Sequence, residues 1–143
     1  MKESSSKGKT MISPLLNVRR GAQAIDFYKA AFGAEEEFRV EDPDGAVVAM
    51  MTVGGKENGA VGGAQFWLAD ESPENGNFSP ESMGGSTVRM VMVVDDPDQM
   101  FERAVAAGAT VVWPVEDKEY GWRVGRVADP YGHHWEIGKP LEW

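Results

Sequence analysis

The sequence predicts an α+β chain built from two tandem βαβββ units, and three observations carry that reading. First, short β-rich runs and two stretches of helical period follow the order strand, helix, strand, strand, strand, twice over. Second, the halves can be laid on one another. With Val18 set against Val94, Ile25 meets Phe101 inside the two helices; with Gly63 set against Gly132, Leu68 meets Ile137 and Trp67 falls opposite Glu136. The two alignments need different offsets, and the glycine-rich loop 54–63 absorbs the difference. Third, 143 residues with 42% hydrophobic content suit one domain, or two small halves sharing a core. A single βαβββ unit cannot cover its own sheet face, so the two are expected to pack as a pair or across a dimer.

The elements follow in order. Residues 1–10 are polar and Ser/Lys-rich, without the apolar centre of a signal peptide, and read as a disordered tail. Met11 to Val18 is a short apolar run in which Pro14 marks an edge strand or bulge. Ala24, Ile25, Tyr28, Ala31 and Phe32 recur at helical spacing, and Gly33 stands where a C-terminal cap belongs. Glu36 to Val40 reads as a strand, Pro43-Asp44-Gly45 as a turn, and Ala46 to Val53 and Ala64 to Ala69 as further strands. Residues 71–85 are a linker by composition, rich in Pro, Asn, Gly and Ser with little that could pack. Thr87 to Val94 is the strongest strand signal. Asp95-Asp96-Pro97 announces a helix whose apolar face is Met100, Phe101, Ala104 and Val105, closed by Gly108. Thr110 to Val115, Arg123 to Ala128 and His133 to Ile137 complete the second set, with the turn Asp129-Pro130-Tyr131-Gly132 between the last two. The units are therefore 11–70 and 86–143, forming one domain over 11–143.

Composition excludes several function classes. Fourteen Lys plus Arg against 23 Asp plus Glu give a formal net charge of −9, which repels phosphate backbones and anionic membrane, so neither nucleic acid nor a membrane surface is an expected partner. No apolar run approaches the roughly 18 residues of a membrane span, and a cytoplasmic setting is expected. The absence of cysteine removes disulfides, zinc knuckles, iron–sulfur clusters and thiol catalysis together. The glycine-rich loop has no Gly-Lys-Ser/Thr before a helix, and there is no G-x-S-x-G elbow. Asp95, Asp96 and Asp98 fit helix capping better than a calcium loop, and Glu35-Glu36-Glu37 fits a solvated face. Arg19-Arg20 stands at a helix start, where an anion could bind, although a solvated turn is the simpler account.

Three stretches carry a resemblance: the run from Val18 through AIDFYKAAFGAE, the strand–helix VVDDPDQMFERAVAAGA, and the closing YGWRVGRVADPYGHHWEI. The last is the most specific, with Asp-Pro-aromatic-Gly-His followed by an aromatic and Glu. Together they resemble the vicinal oxygen chelate superfamily of glyoxalases, bleomycin resistance proteins and dioxygenases, nearest in wording to its PhnB-like, glyoxalase-like branch. The resemblance implies that the two modules form curved half-barrel sheets around a cup. It also implies a divalent ion held from the first and fourth strand of each module. Carried over singly, those places fall on Ser13, Trp67, Arg89 and Glu136, of which only Glu136 is a family ligand type. Serine is a poor ligand, tryptophan is none, and arginine is a fixed cation. No metal and no other cofactor is therefore expected. His134, which alternation places on the Glu136 face, could add one ligand, but a histidine hydrogen-bonded within the sheet is the simpler reading.

The expected replacement for the metal is an Arg89–Glu136 ion pair on the cup face, which either simply closes the bottom of an apolar cup or leaves Arg89 able to receive a ligand anion. Trp67, Met50, Trp113 and Trp122 would give the cup an apolar wall suited to flat ligands, with Ser13 and His134 at its margin. Met90 and Trp135 face the helices as core. The leading expectation is a metal-free small-molecule-binding protein, with sequestration of drugs or toxins as one such role, acting as a homodimer because open sheet edges need covering. The alternative is a glyoxalase-like lyase or isomerase, or a dioxygenase, with Glu136 as catalytic base or retained metal ligand and Arg89 stabilising an enolate.

Overall fold

Pro14 has no N–H to donate, and the first strand, β1 (Leu15–Val18), starts immediately after it. A computed structural model describes residues 8, 10–54, 56–57, 60–61 and 63–143. The expected disordered tail therefore lies mostly outside the described residues, as does part of the glycine-rich loop. After β1 come α1 (Gly21–Phe32), β2 (Glu35–Glu41), β3 (Val47–Val53), the two-residue strands β4 (Lys56–Glu57) and β5 (Ala60–Val61), and β6 (Ala64–Asp70). A short helix α2 (Pro80–Met83) leads to β7 (Arg89–Val93), α3 (Pro97–Ala107), β8 (Thr110–Asp117), β9 (Trp122–Ala128) and β10 (His134–Pro140).

The repeat inferred from sequence is present in the hydrogen bonding. One four-stranded sheet has the order β1-β6-β3-β2 and the other β7-β10-β9-β8. In each, the first strand lies parallel to the last, and the remaining pairs are antiparallel. Leu15 pairs with Trp67, and Val91 with Glu136. The two alignments made separately, Val18 on Val94 and Gly63 on Gly132, place Leu15 on Val91 and Trp67 on Glu136, so the parallel registers reconcile them.

The inward faces of both sheets and both long helices share one core. Leu16, Val18, Ile25, Tyr28, Met51 and Leu68 of the first half join Phe101, Val127, Tyr131, Trp135 and Ile137 of the second. Gly33 closes α1 at φ 67°, where a left-handed residue is required. Arg103 of α3 reinforces that end: its Nε donates to the Ala30 carbonyl at 2.8 Å, satisfying an acceptor the helix leaves open. Asp96 caps α3 by accepting from the Gln99 N–H.

Asp129 joins the halves. It is buried at the β9–β10 turn and accepts from the Tyr131 and His133 N–H groups and from Trp135 Nε1, each at 2.9 Å, and from the Tyr28 hydroxyl of α1. His133 adds a second tie, its Nε2 lying 2.9 Å from the Asn17 carbonyl.

Three expectations are corrected. β7 starts at Arg89 rather than Thr87, because its partner β10 begins at His134, opposite Arg89. Val105 is exposed, since the buried stripe of α3 runs through Pro97, Phe101 and Ala104. The linker 71–85 packs: Ser79 and Pro80 are buried, and Glu71 accepts from the Ser79 N–H at 2.8 Å and the Ser82 hydroxyl at 2.9 Å. Those two donors, with Arg19 nearby, hold the Glu71 carboxyl below its usual range. Polar composition hid a segment that packs through side-chain-to-backbone hydrogen bonds.

Asp129→Ala leaves Tyr28 and Trp135 donors buried without an acceptor and is expected to cost about 3 kcal/mol or more, against about 1 kcal/mol for Tyr28→Phe; urea denaturation measures both. Burial first, and then Asp129, pushes the Tyr28 hydroxyl well above its ordinary value of 10.0. Its folded-state proton is held more tightly, so this contribution is intact below the unfolded value and is lost as pH rises through the folded one. The unmodified protein should therefore lose stability above about pH 10 more steeply than Tyr28→Phe, with Tyr131, raised by the same burial, accounting for part of the slope that remains.

Candidate functional site

Side chains on the outer faces of the two sheets point away from the shared core. On the second sheet, β10 presents Glu136, with Arg126 directly opposite it on β9 and Arg89 two residues along from its partner on β7. Arg126 Nη2 donates to Glu136 Oε2 at 2.6 Å, and Arg89 Nη1 donates to the same oxygen at 3.1 Å. Arg126 is mostly buried, with its side chain 19% exposed, whereas that of Arg89 is 60% exposed. The Trp113 ring of β8 lies beneath both the Arg126 guanidinium, 5.4 Å from its centroid, and Lys118 Nζ, at 4.6 Å. His134 stands on this face opposite Arg89.

The equivalent positions of the first sheet are apolar. Trp67 on β6 stands where Glu136 stands, Met50 on β3 corresponds to Arg126, and Phe38 on β2 corresponds to Trp113. Phe38 meets Trp67 edge-on at 5.4 Å between centroids. Ser13, Met50 and Trp67 line an open cavity of about 590 Å³ with Met11 and Gln65. One backbone scaffold thus carries an aromatic–aliphatic surface in one half and a charged one in the other.

The structure brings together Ser13, Met50 and Trp67 as one set and Arg89, Glu136 and Trp113 as another. The first set lies on the first sheet and the second on the second sheet, and Trp122 stands at the start of β9 opposite Pro140. Arg126 and Phe38 escaped sequence reasoning. The signal for Arg126 was the turn closed by Asp129 and His133, since Arg126 and Glu136 each stand three residues outward from that pair on the two arms of the hairpin.

The remaining charged candidates serve the fold. Arg19 pairs with Glu71 at 3.4 Å and donates to the Ser82 hydroxyl. Arg20 pairs with Glu81 at 3.5 Å and lies over the Tyr131 ring. The anion expected as a possibility at this helix start thus meets cations already paired within the chain. The Arg123 guanidinium beside Asp98 holds that carboxyl below its usual range. Glu36 likewise sits low, bonded by Arg39 and Lys29.

The sequence profile of the Glyoxalase/Bleomycin resistance protein/Dioxygenase superfamily matches residues 10–137. The chain belongs to that superfamily. An uncharacterised protein of Mycobacterium bovis is 41% identical over 133 residues, spanning 91% of this chain and 83% of its own length. Among solved structures, an Arabidopsis thaliana gene product superposes with TM-score 0.65 at 28% identity, covering 90% of this chain and 95% of its own. TioX from Micromonospora sp. ML1 superposes at 0.64 with 26% identity, covering 91% and 95%.

The superfamily resemblance implies a divalent ion, and the donor set at the corresponding places does not fit one. Ser13, Trp67 and Arg89 offer no strong ligand, and the Glu136 carboxylate accepts from two guanidiniums. Among the described residues no group of three or more His, Cys, Asp or Glu side chains could hold an ion. The residue pattern carries a prediction. Replacing Arg89 and Arg126 together by His should give two imidazoles around Glu136 and a gain of stoichiometric Zn²⁺ affinity over the parent in calorimetric titration. No gain would mean the three side chains do not converge on one point.

Proposed function

We propose that the chain is a metal-free small-molecule-binding member of the superfamily, taking flat apolar ligands against the outer sheet faces and acting by stoichiometric capture, as in drug or toxin sequestration. The observation that carries this reading is the Arg89–Glu136–Arg126 cluster: the lone carboxylate at the family's ligand positions is bonded to two fixed cations. The apolar set Phe38, Met50 and Trp67 supports it, because aromatic and thioether side chains adapt to flat ligands. We place the chain in the PhnB-like branch on the wording of its closing run, residues 120–137, and in the cytoplasm. No helix among the described residues is long and apolar enough to cross a membrane.

The same reading takes the working unit as a homodimer. β1 and β7 are edge strands, each hydrogen-bonded to a sheet neighbour on one side only. Leu15, Phe38, Val40, Val91 and Val93 are exposed on or beside the outer faces. A second copy laid against them would cover both edges and bring an apolar half-site toward a charged one. The catalytic alternative keeps one specific support: Glu136 Oε1 accepts no described hydrogen bond, so a base position remains open on that carboxylate.

Light scattering should give a mass of about twice 15.6 kDa. Intrinsic fluorescence should be quenched saturably, without added metal, by flat aromatic compounds. Trp67→Ala should weaken that binding about tenfold or more, as expected for a central aromatic anchor. Flat titrations across an aromatic panel would defeat the binding reading. Stoichiometric metal in the purified protein, together with turnover of the methylglyoxal–glutathione adduct, would favour the enzyme.

A further inference from the structure

We infer that the outer face of the second sheet selects ligands bearing a carboxylate, which Arg89 and Arg126 receive together; this rests on the binding reading above and narrows it to flat apolar acids. Two guanidiniums converge on one carboxylate, and both bonds fall on the same oxygen, Glu136 Oε2. One positive charge of the cluster is left uncompensated. Lys118 is paired with Glu116 at 3.2 Å, and Asp98 and Asp117 both bond Arg123 rather than this cluster, leaving one carboxylate charge in excess there.

Donors remain for a second anion. Arg126 Nε is buried without a hydrogen-bond partner, an expensive state for a charged group. Arg89 uses Nη1 alone and reaches into solvent, with its side chain 60% exposed. A planar carboxylate matches the guanidinium fork and would be held by charge-assisted bonds. The surroundings fit the remainder of such a molecule. Val91 and Val93 are exposed on the same face, and Trp113 supplies a ring under Arg126. The Trp113 ring lies under the Arg126 guanidinium, and the covered Nε becomes a donor to the ligand as the carboxylate displaces what covers it. At the corresponding places of the first sheet stand Met50 and Trp67, which offer no such charge, so the preference belongs to the second sheet alone.

The test is calorimetric titration of the whole protein with 1-naphthoate and with its neutral counterpart 1-naphthalenemethanol, at low and at physiological salt. The acid is expected to bind about tenfold more tightly or better at both salt concentrations, because the contact is short-ranged and partly buried. Arg126→Gln and, independently, the exposed-site variant Arg89→Gln should each lower the ratio of acid to alcohol affinity towards one, whatever either does to the alcohol itself. Glu136→Gln should strengthen acid binding several-fold by removing the competing carboxylate. Equal binding of acid and alcohol by the parent would overturn the carboxylate preference and leave the binding function standing. Preference retained in Arg89→Gln and Arg126→Gln alike would overturn the assignment to this cluster. Binding of neither compound would overturn the inference together with the reading beneath it.

Discussion

A buried carboxylate with four donors fixes how the two halves of this chain meet. Asp129 sits at the tightest point of the β9–β10 hairpin, where two backbone N–H groups of its own turn hold it. That alone would make a local turn. The Trp135 indole and the Tyr28 hydroxyl change its role, because one comes from the sheet of the second half and the other from the helix of the first. An unpaired charge in this setting is expensive, whereas a fully bonded one specifies a single arrangement. Around it Tyr28, Phe32, Phe66 and Trp135 pack ring on ring, at centroid separations of 4.6 to 6.0 Å. Moving the second sheet relative to α1 would strip the carboxylate of its Tyr28 donor and open that aromatic cluster together.

This constraint determines where functional surface can be. Since both sheets turn their inner faces to one core, their outer faces are left to solvent, partner or ligand. Period-two alternation then sorts the residues: Trp135 and Ile137 go inward, His134 and Glu136 outward. The parallel pairing of first and last strands brings β7 beside β10, which is why Arg89 and Glu136, 47 residues apart, share an ion pair. The hairpin adds Arg126 from the other side.

Much of this was legible in the sequence because the signals were periodic or local. The helical spacing of Ile25, Tyr28 and Phe32, the cap at Gly33 and the turn at Asp129 each rest on nearby residues. The Arg89–Glu136 pairing needed the topology that the repeat and the family resemblance supplied. Arg126 lies on the third strand of its unit, outside the first- and fourth-strand places that the resemblance implies, although a count outward from the turn reaches it. The packing of residues 71–85 was illegible in hydropathy, since Glu71, Ser79 and Ser82 act through hydrogen bonds. Whether the Trp67 set and the Arg89 set face one ligand depends on how copies associate, and no periodicity within one chain encodes that.

The chain's overall charge and the local charge of the proposed site have opposite signs. A formal −9 spread over the surface repels an approaching organic acid. At physiological ionic strength that field is screened over about 8 Å, so it acts on the approach and little on a molecule already in contact. Arg89 and Arg126 act at hydrogen-bond distance, where screening by mobile ions is weak and a partly buried guanidinium such as Arg126 is strongest. In the proposed reading, then, recognition of an acid owes nothing to long-range attraction. It comes from how long the contact lasts once the carboxylate has entered the fork, and a protein built to retain a molecule depends on that lifetime more than on the encounter rate.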